Sequence, residues 1–209
     1  MTAPAPQQPR VVVFDLGGVL IDWNPRYLYR GLFEDTAAME TFLSTVCTQT
    51  WNERQDAGRR VADAEAELIA RHPDHADLIR AYYGQFDRML AGPIHGTVSI
   101  LEELHRRGTP LYALSNWAAE TFQHAIRRFR FLDRFLGIVV SGELGIIKPD
   151  PRIYRHLIQT YQLTPSDCVF IDDSPRNVEG AKAAGLYAIH FTDPDALRNA
   201  LRAYGFFES

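Results

Sequence analysis

The sequence predicts an α/β protein whose doubly wound parallel sheet is interrupted, after its first strand, by an all-helical insertion. Short apolar runs rich in β-branched residues alternate with stretches of helical periodicity, which is typical of βαβ units. The first run shows no alternation of polar and apolar residues, as expected for a strand covered on both faces. The strand-like runs are residues 11–14, 111–114, 137–140, 168–171 and 186–191.

The first of these runs, residues 11–14, ends directly on Asp15 and is followed by Gly17 and Gly18. Open α/β sheets bind ligands beyond the carboxyl ends of their strands, so a carboxylate here is well placed for a site. The two glycines let the backbone turn sharply and approach a ligand or metal closely. The alternative is that Asp15 is a solvated turn residue, and this stretch alone does not decide between the two.

The next stretch, residues 23–90, is predicted to form a domain of four or five short helices. Asn24 and Pro25 suit the N-cap and the first position of a helix, and apolar residues recur at helical spacing after them. The predicted divisions are a disordered leader at 1–9, an α/β core at 10–22 and 91–209, and hinges at 22–25 and 91–93.

Polar side chains follow the later strands as Asp15 follows the first. These residues are Ser115 and Asn116, Lys148, and the pair Asp172 and Asp173. Lys148 is reached through a predicted loop, residues 141–147, that is long enough to return to the same edge of the sheet. Because all strands of a parallel sheet end at one edge, these side chains are predicted to converge around Asp15.

This set of side chains suits phosphoryl transfer. Carboxylates hold a hard divalent cation, for which Mg²⁺ is the expected ion. A lysine and a hydroxyl neutralise and orient phosphate oxygens, and an aspartate can attack phosphorus to form an aspartyl-phosphate. Each residue has a simpler interpretation, since Ser115, Asn116 and the acid pair can cap helices and Lys148 can be a solvated loop residue. Their occurrence together at matching strand ends favours a site.

The composition argues against several classes of function. The chain of 209 residues has 22 Lys and Arg against 26 Asp and Glu, a formal charge of −4. This gives no reason to expect a nucleic acid or a membrane surface as a partner. The two cysteines lack metal-binding spacing and fit a reducing, cytoplasmic location. The expected partner is a small-molecule substrate, and the sequence does not indicate an oligomeric state.

The chain resembles the haloacid dehalogenase superfamily of hydrolases over nearly its whole length. Four stretches carry the resemblance in the family's order: residues 15–20 (DLGGVL), 114–116 (LSN), 148–149 (KP) and 172–181 (DDSPRNVEGA). The resemblance implies a Rossmann-like core with a type-1 helical cap that closes over the active site. The Asp-Leu-Gly of the first stretch resembles a branch that includes sugar-1-phosphate phosphatases.

By this resemblance Asp15 is the nucleophile, and Ser115 and Lys148 bind the transferring phosphoryl group. Asn116 is predicted as a further substrate-binding residue. The implied Mg²⁺ ligands are Asp15, Asp173 and the backbone carbonyl of Gly17, with Asp172 as an outer ligand. The predicted activity is Mg²⁺-dependent hydrolysis of a small phosphorylated metabolite through an aspartyl-phosphate.

One position departs from the family pattern. Phosphatases of this superfamily usually carry a second aspartate two residues after the nucleophile, where this chain has Gly17. That aspartate protonates the leaving oxygen and then activates water, and general acid–base catalysis typically contributes ~10²–10⁴-fold. The candidates to replace it are Asp22, the acids Glu53 and Asp56 of the helical stretch, or a group of the substrate itself.

Two other functions stay open. In a 2-haloacid dehalogenase, Asp15 attacks carbon without a metal; this would explain Gly17 but leave the acid pair without a use. Such an enzyme needs an arginine for the halide, for which Arg26 and Arg54 are the candidates. A phosphate-binding protein with little turnover is the other alternative. The residues expected to set specificity are Trp51, Arg54, Tyr82 and Tyr83, with core packing as the alternative for the tyrosines.

Overall fold

The structure is a computed structural model that describes residues 8–208. The predicted leader, residues 1–9, lies outside the described residues except at its last two positions. The strands in this range are β1 (Val11–Phe14), β2 (Ile21–Trp23), β3 (Leu90–Pro93), β4 (Leu111–Ser115), β5 (Gly137–Val140), β6 (Cys168–Asp172) and β7 (Tyr187–His190). None of the helices in it has the length and apolar character needed to cross a membrane.

The helices largely follow the predicted pattern of caps. They are α1 (Pro25–Tyr29), α2 (Thr36–Thr45), α3 (Gln49–Asp56), α4 (Val61–Arg71), α5 (Ala76–Gly84), α6 (His95–Arg106), α7 (Ala119–Arg128), α8 (Ser141–Leu144), α9 (Pro151–Thr160), α10 (Pro175–Ala183) and α11 (Pro194–Ala203). Asn24, Asp150 and Asp193 each accept a backbone N–H at a helix start, with proline in the first turn. The predicted loop 141–147 differs, because it contains the short helix α8.

Five strands form one parallel sheet in the order β5-β4-β1-β6-β7. Both faces of this sheet are buried. Val12 and Phe14 pack into one apolar cluster while Val13 packs into another, and all three side chains are 0% exposed. This arrangement confirms the predicted α/β class and explains why β1 shows no polar alternation.

The carboxyl ends of the central strands lie level with one another. Phe14, the last residue of β1, is opposite Ala113 on β4 and Ile171 on β6. Asp15 therefore leaves the sheet within two positions of the ends of both neighbouring strands. The polar residues that end or follow β4 and β6 meet Asp15 at this edge, as the sequence predicts.

Helices α1 to α5, the helical insertion, lie between β2 and β3, which pair antiparallel at its base. A two-stranded ribbon, which the sequence does not predict, joins the two connections at residues 22–25 and 91–93, and their action as hinges stays a prediction. The strands have only 3 and 4 residues and β3 contains Gly92 and Pro93, so neither gives a strand signal in the sequence. The predicted domain boundaries fall inside this ribbon.

The core of the helical insertion contains a cluster of aromatic side chains. The rings of Tyr29 and Phe42 have centroids 5.1 Å apart, and Trp51 meets Tyr82 edge-on at 5.2 Å. Trp51 and Tyr82 are both buried in this packing. The insertion can therefore hold its helices, and in particular α3, in a fixed position above the edge of the sheet.

Candidate active site

The Asp15 carboxylate is held from three sides at the edge of the sheet. Its Oδ1 accepts hydrogen bonds from the Leu16 N–H at 2.7 Å and from Ser115 Oγ at 2.9 Å. The same oxygen lies 3.0 Å from Lys148 Nζ. Asp15 is 7% exposed, and all these contacts engage Oδ1. The second oxygen has no hydrogen-bond donor among the residues that the structure describes, which suits an atom that attacks an electrophile or binds a cation.

Lys148 is fully buried below Asp15, and each of its three N–H groups has an acceptor. Nζ lies 2.9 Å from the Leu114 carbonyl, 2.7 Å from Asp172 Oδ2 and 3.0 Å from Asp15 Oδ1. Burial lowers the pKa of Lys148, but attraction to the two carboxylates outweighs it and the net pKa is raised. Lys148 therefore places a fixed positive charge under the candidate nucleophile.

The acidity of Asp15 reflects the same surroundings. Burial raises the pKa of Asp15 to about 7, with Lys148 opposing the increase and Asp172 and Asp173 adding to it. A divalent cation among these acids would lower the pKa again, because it favours the ionised form.

Asn116 lines the cavity above the site, but its side-chain amide is occupied by the backbone of Lys148. Its Nδ2 donates to the Lys148 carbonyl at 3.1 Å, and its Oδ1 accepts the Lys148 N–H at 2.8 Å. These reciprocal bonds position the loop that carries the lysine. A direct role of Asn116 in substrate binding stays a prediction.

The two acids of the predicted pair have different surroundings. Asp172 is fully buried and accepts hydrogen bonds from Lys148 Nζ, from the Ser174 N–H at 2.8 Å and from Asn177 Nδ2 at 3.0 Å. Asp173 is exposed and lines the cavity. Asp172 therefore holds the lysine from beneath, while Asp173 presents its carboxylate to incoming ligands.

These acids fit a hard cation such as Mg²⁺. Asp15, Asp172 and Asp173 each offer an oxygen within 4.8 Å of the others. When all are ionised, three carboxylates and the Lys148 ammonium leave an excess of two negative charges. Asn177 adds a buried Oδ1 that has no hydrogen-bond partner among the described residues, an acceptor suited to a metal-bound water.

The two glycines after Asp15 have different roles. Gly18 has a φ of +75°, which strains any other residue, and a Cβ there would overlap the Asp173 carboxylate and displace it. Gly17 has no positive φ, and a Cβ built on it would meet no atom within 4 Å. The turn therefore has room for a side chain at position 17, and steric crowding does not explain why glycine stands there instead of aspartate. The backbone carbonyl of Gly17 stays a predicted metal ligand.

A cavity of about 530 Å³ separates this edge of the sheet from the helical insertion. Its size is within the usual range for small-molecule sites, ~300–1,000 Å³. Residues on the core side include Asp15, Gly17, Gly18, Ser115, Asn116, Trp117, Asp173 and Arg176, and those from the insertion side include Gln49, Asn52, Glu53, Asp56, Tyr83 and Phe86. Lys148 and Asp172 lie beneath this lining.

The candidates for the missing acid differ in their position. Asp22 is outside the cavity lining, and its carboxylate accepts the Tyr27 hydroxyl at 2.9 Å. Glu53 and Asp56, both on α3, line the cavity. Glu53 forms an ion pair with Arg176, whereas Asp56 is buried and has no ion pair within residues 8–208.

Of the four residues predicted to set specificity, one lines the cavity and three do not. Tyr83 lines the cavity and donates its hydroxyl hydrogen bond to Asn52 Oδ1 at 2.9 Å. Trp51, Arg54 and Tyr82 are not part of the lining, and neither is Arg26, the other halide candidate. Core packing, the alternative left open for Tyr82, is the role that the structure shows.

Several lining residues were not identified from the sequence as specificity residues. They are Trp23, Gln49, Asn52, Phe86, Trp117, Ala118, Thr121, Ser174, Arg176 and Asn177. Three of them, Ser174, Arg176 and Asn177, fall inside the fourth matching stretch, residues 172–181, which is the sequence signal for their position near the site. The others come together only through the packing of the helical insertion on the core.

A parallel sheet, its helical insertion and an acidic cavity between them define an α/β enzyme with a site suited to a metal ion. Residues 9–185 match the family model of the haloacid dehalogenase-like hydrolases. The chain belongs to this family and is a hydrolase. The resemblance found in the sequence is thus confirmed at the level of the superfamily.

Known relatives include phosphatases. The chain is similar to the sesquiterpene phosphatase astK of Aspergillus oryzae, with 28% identity over 92% of this chain and 95% of that protein. A haloacid dehalogenase family enzyme from Bacteroides thetaiotaomicron, in complex with magnesium and inorganic phosphate, has a TM-score of 0.64 at 18% identity, covering 88% of this chain and 95% of that one.

An L-2-haloacid dehalogenase from Xanthobacter autotrophicus with chloropropionic acid covalently bound is also similar in structure. Its TM-score is 0.61 at 18% identity, covering 96% of this chain and 85% of that one. At such identities the two structural likenesses show the shared fold alone. The choice between phosphorus and carbon as the centre of attack therefore depends on the residues of this chain.

Proposed function

We propose that the protein is a Mg²⁺-dependent phosphatase that hydrolyses small phosphorylated metabolites through an aspartyl-phosphate on Asp15. The observation that carries the proposal is the position of Asp15, with Lys148 and Ser115 on one oxygen and the acid cluster beside it. A dehalogenase that needs no metal has no use for the exposed carboxylate of Asp173, which adds only repulsion to the site.

Asp15, Asp173 and the carbonyl of Gly17 would hold Mg²⁺, with Asp172 behind them. When bound, Mg²⁺ supplies the positive charge that a phosphate dianion needs to approach these acids. Asp172 acts mainly on Lys148, because its oxygens already accept three protein hydrogen bonds.

The core residues then have separate tasks. Asp15 attacks phosphorus and becomes a mixed anhydride, which removes the negative charge that faces Lys148. The N–H of Lys148 that pointed at Asp15 can then turn to a phosphoryl oxygen, while its other two stay on Leu114 and Asp172. The Ser115 hydroxyl, which donates to Asp15 Oδ1, makes the same exchange. These residues thus compensate the charge transferred from substrate to enzyme.

The cavity sets the class of substrate. Its floor is polar and charged, while Trp23, Tyr83, Phe86 and Trp117 contribute aromatic surface to its walls. We infer a phosphate monoester whose organic part is small enough for a cavity of about 530 Å³. The Asp-Leu-Gly sequence makes sugar phosphates an obvious first group to test, and we propose that the helical insertion acts as the type-1 cap that covers them.

The proposal is tested by a panel of phosphate monoesters with added Mg²⁺ and with EDTA, assayed for inorganic phosphate, beside a halide-release assay on 2-haloacids. We expect phosphate release that requires Mg²⁺ and no halide release. Halide release that is unaffected by EDTA would instead establish the dehalogenase. Saturable phosphate binding without hydrolysis of any ester would indicate the binding protein.

A further inference from the structure

The reaction proposed above needs a proton for the leaving oxygen, and Gly17 cannot provide it. Among the described residues, four carboxyl groups line the cavity: Asp15, Glu53, Asp56 and Asp173. Asp15 is the proposed nucleophile, Asp173 belongs to the cation cluster, and Glu53 forms an ion pair with Arg176. Asp56 is the remaining carboxyl group of the cavity, with no role in attack, cation binding or ion pairing within residues 8–208.

Asp56 belongs to the helical insertion, yet it is attached to the core loop that follows Ser115. Its backbone carbonyl accepts the Ser141 hydroxyl at 2.6 Å, and the same hydroxyl oxygen accepts the Trp117 N–H at 3.0 Å. The Ala118 backbone amide also faces the Asp56 carboxyl. The last turn of α3 is therefore fixed against the loop of the site rather than held by the insertion alone.

The carboxyl group of Asp56 is oriented by a short chain of hydrogen bonds. The Tyr83 hydroxyl donates to Asn52 Oδ1 at 2.9 Å, which leaves the Asn52 amide nitrogen to donate to Asp56 Oδ2 at 2.9 Å. Asp56 thus takes part in these bonds as an acceptor. A protonated carboxyl would keep them and still have one O–H to give to a ligand in the cavity.

Burial also favours the protonated form of this acid. It raises the pKa of Asp56 to about 7; the Ala118 amide and Lys148 oppose the increase, and Glu53 adds to it. A general acid–base works best when its pKa lies near the operating pH.

We propose that Asp56 is the general acid–base of the phosphatase reaction, delivered by the helical insertion to the position that Gly17 leaves open. As the bond from Asp15 to phosphorus forms, the bond to the leaving oxygen breaks and that oxygen takes the proton of Asp56. Water then attacks phosphorus, gives a proton to the Asp56 carboxylate and releases phosphate from Asp15. The inference rests on the proposed function and identifies the group that supplies the proton to the leaving oxygen.

The test is the variant Asp56→Asn, in which Oδ1 of the amide can still accept a hydrogen bond. Its kcat/KM is compared with wild type on an alkyl phosphate and on 4-nitrophenyl phosphate, whose phenolate leaves without a proton. We expect a loss of ~10²–10⁴-fold on the alkyl ester and a much smaller loss on the nitrophenyl ester. Glu53→Gln, on the same helix and in the same cavity, is the control, and it should change kcat/KM by the same factor on both esters.

A purely structural role of Asp56 gives a different result. Loosening of the contact between α3 and the core would lower kcat/KM on both esters by the same factor, and that outcome overturns the proposal. Wild-type rates on both esters would also overturn it. If wild type hydrolyses neither ester nor any member of the phosphate panel, it is the proposed function that fails.

A second variant restores the acid at a different position. Gly17→Asp places a carboxyl where a Cβ meets no atom within 4 Å. In the Asp56→Asn background it should recover at least ~10-fold of the loss on the alkyl ester, since an acid two residues from Asp15 replaces the missing proton donor. If the double variant folds but is no faster than Asp56→Asn, the loss of a proton donor does not explain the slow hydrolysis of the alkyl ester by Asp56→Asn.

Discussion

The cavity lies between two hydrogen-bonded networks that differ in how the charge of their carboxyl groups is balanced. On the core side, the charges of Asp15 and Asp172 are balanced by Lys148, which contacts both. On the insertion side, Asp56 is bonded to a neutral amide and has no ion-pair partner in residues 8–208. Burial raises the pKa of both Asp15 and Asp56 to about 7, but among the described residues only Asp15 has a cation beside it. A bound Mg²⁺ would lower the pKa of Asp15 and favour its ionised form, whereas Asp56 keeps a carboxyl group that can carry a proton.

The largest expected effect comes from removing the charge that balances the core network. Lys148→Met leaves Asp15 and Asp172 buried together without a cation. Breaking a buried ion pair in this way costs about 3–5 kcal/mol, so we expect that loss in the free energy of unfolding measured by urea denaturation, together with loss of phosphatase activity. Lys182→Met is the control, because Lys182 is exposed and its one ion pair within residues 8–208 is with Glu179 on the same helix. A stability within about 0.5 kcal/mol of wild type for Lys148→Met would contradict the role given to the lysine.

The next effect separates the two acids of the pair. Asp173→Ala should weaken Mg²⁺ binding and raise the Mg²⁺ concentration needed for half-maximal activity, with the melting temperature close to that of wild type, because this carboxylate is exposed. Asp172→Ala should lower the melting temperature, because it removes a fully buried carboxylate that accepts three hydrogen bonds. Titration calorimetry measures the Mg²⁺ affinity of each variant, and thermal melts measure its melting temperature. If the two variants behave alike, the distinction between them is wrong.

A smaller effect concerns pH. Because the pKa of Asp56 is raised to about 7, its acid form is present below that pH and is lost above it. The kcat/KM on an alkyl phosphate should therefore fall as the pH rises through about 7, and this fall should be absent in Asp56→Asn. The titratable or charged groups that act on Asp56 or feel its charge are Glu53, Tyr82, Tyr83 and Lys148. Identical pH profiles for the two proteins would show that another group titrates.

The sequence predicts the core better than the insertion, and the reason is physical. Asp15, Ser115 and Asp172 occupy strand ends, and the geometry of a parallel sheet brings such positions together whatever the loops do. The same rule accounts for the level ends of β1, β4 and β6. Lys148 is the less direct case, since its return to the edge depends on the contacts of its backbone with Asn116.

The walls of the cavity depend on tertiary packing that local patterns do not describe. Trp51 and Tyr83 are both aromatic residues of the insertion, yet only Tyr83 lines the cavity. The periodicity of a helix identifies its apolar face, but it does not tell whether that face meets a core or a ligand. The ribbon of β2 and β3 was missed for a related reason, because its strands are too short for a pattern to emerge.

The proposed phosphatase reaction depends most directly on Asp15 as the nucleophile. The decisive measurement is kcat for phosphate release by wild type and Asp15→Asn on the best substrate of the panel, with Mg²⁺ present and thermal melts to show that both are folded. We expect no detectable turnover for Asp15→Asn, because an amide oxygen does not replace the attacking carboxylate. A folded Asp15→Asn protein with a kcat within a few-fold of wild type would contradict this role of Asp15.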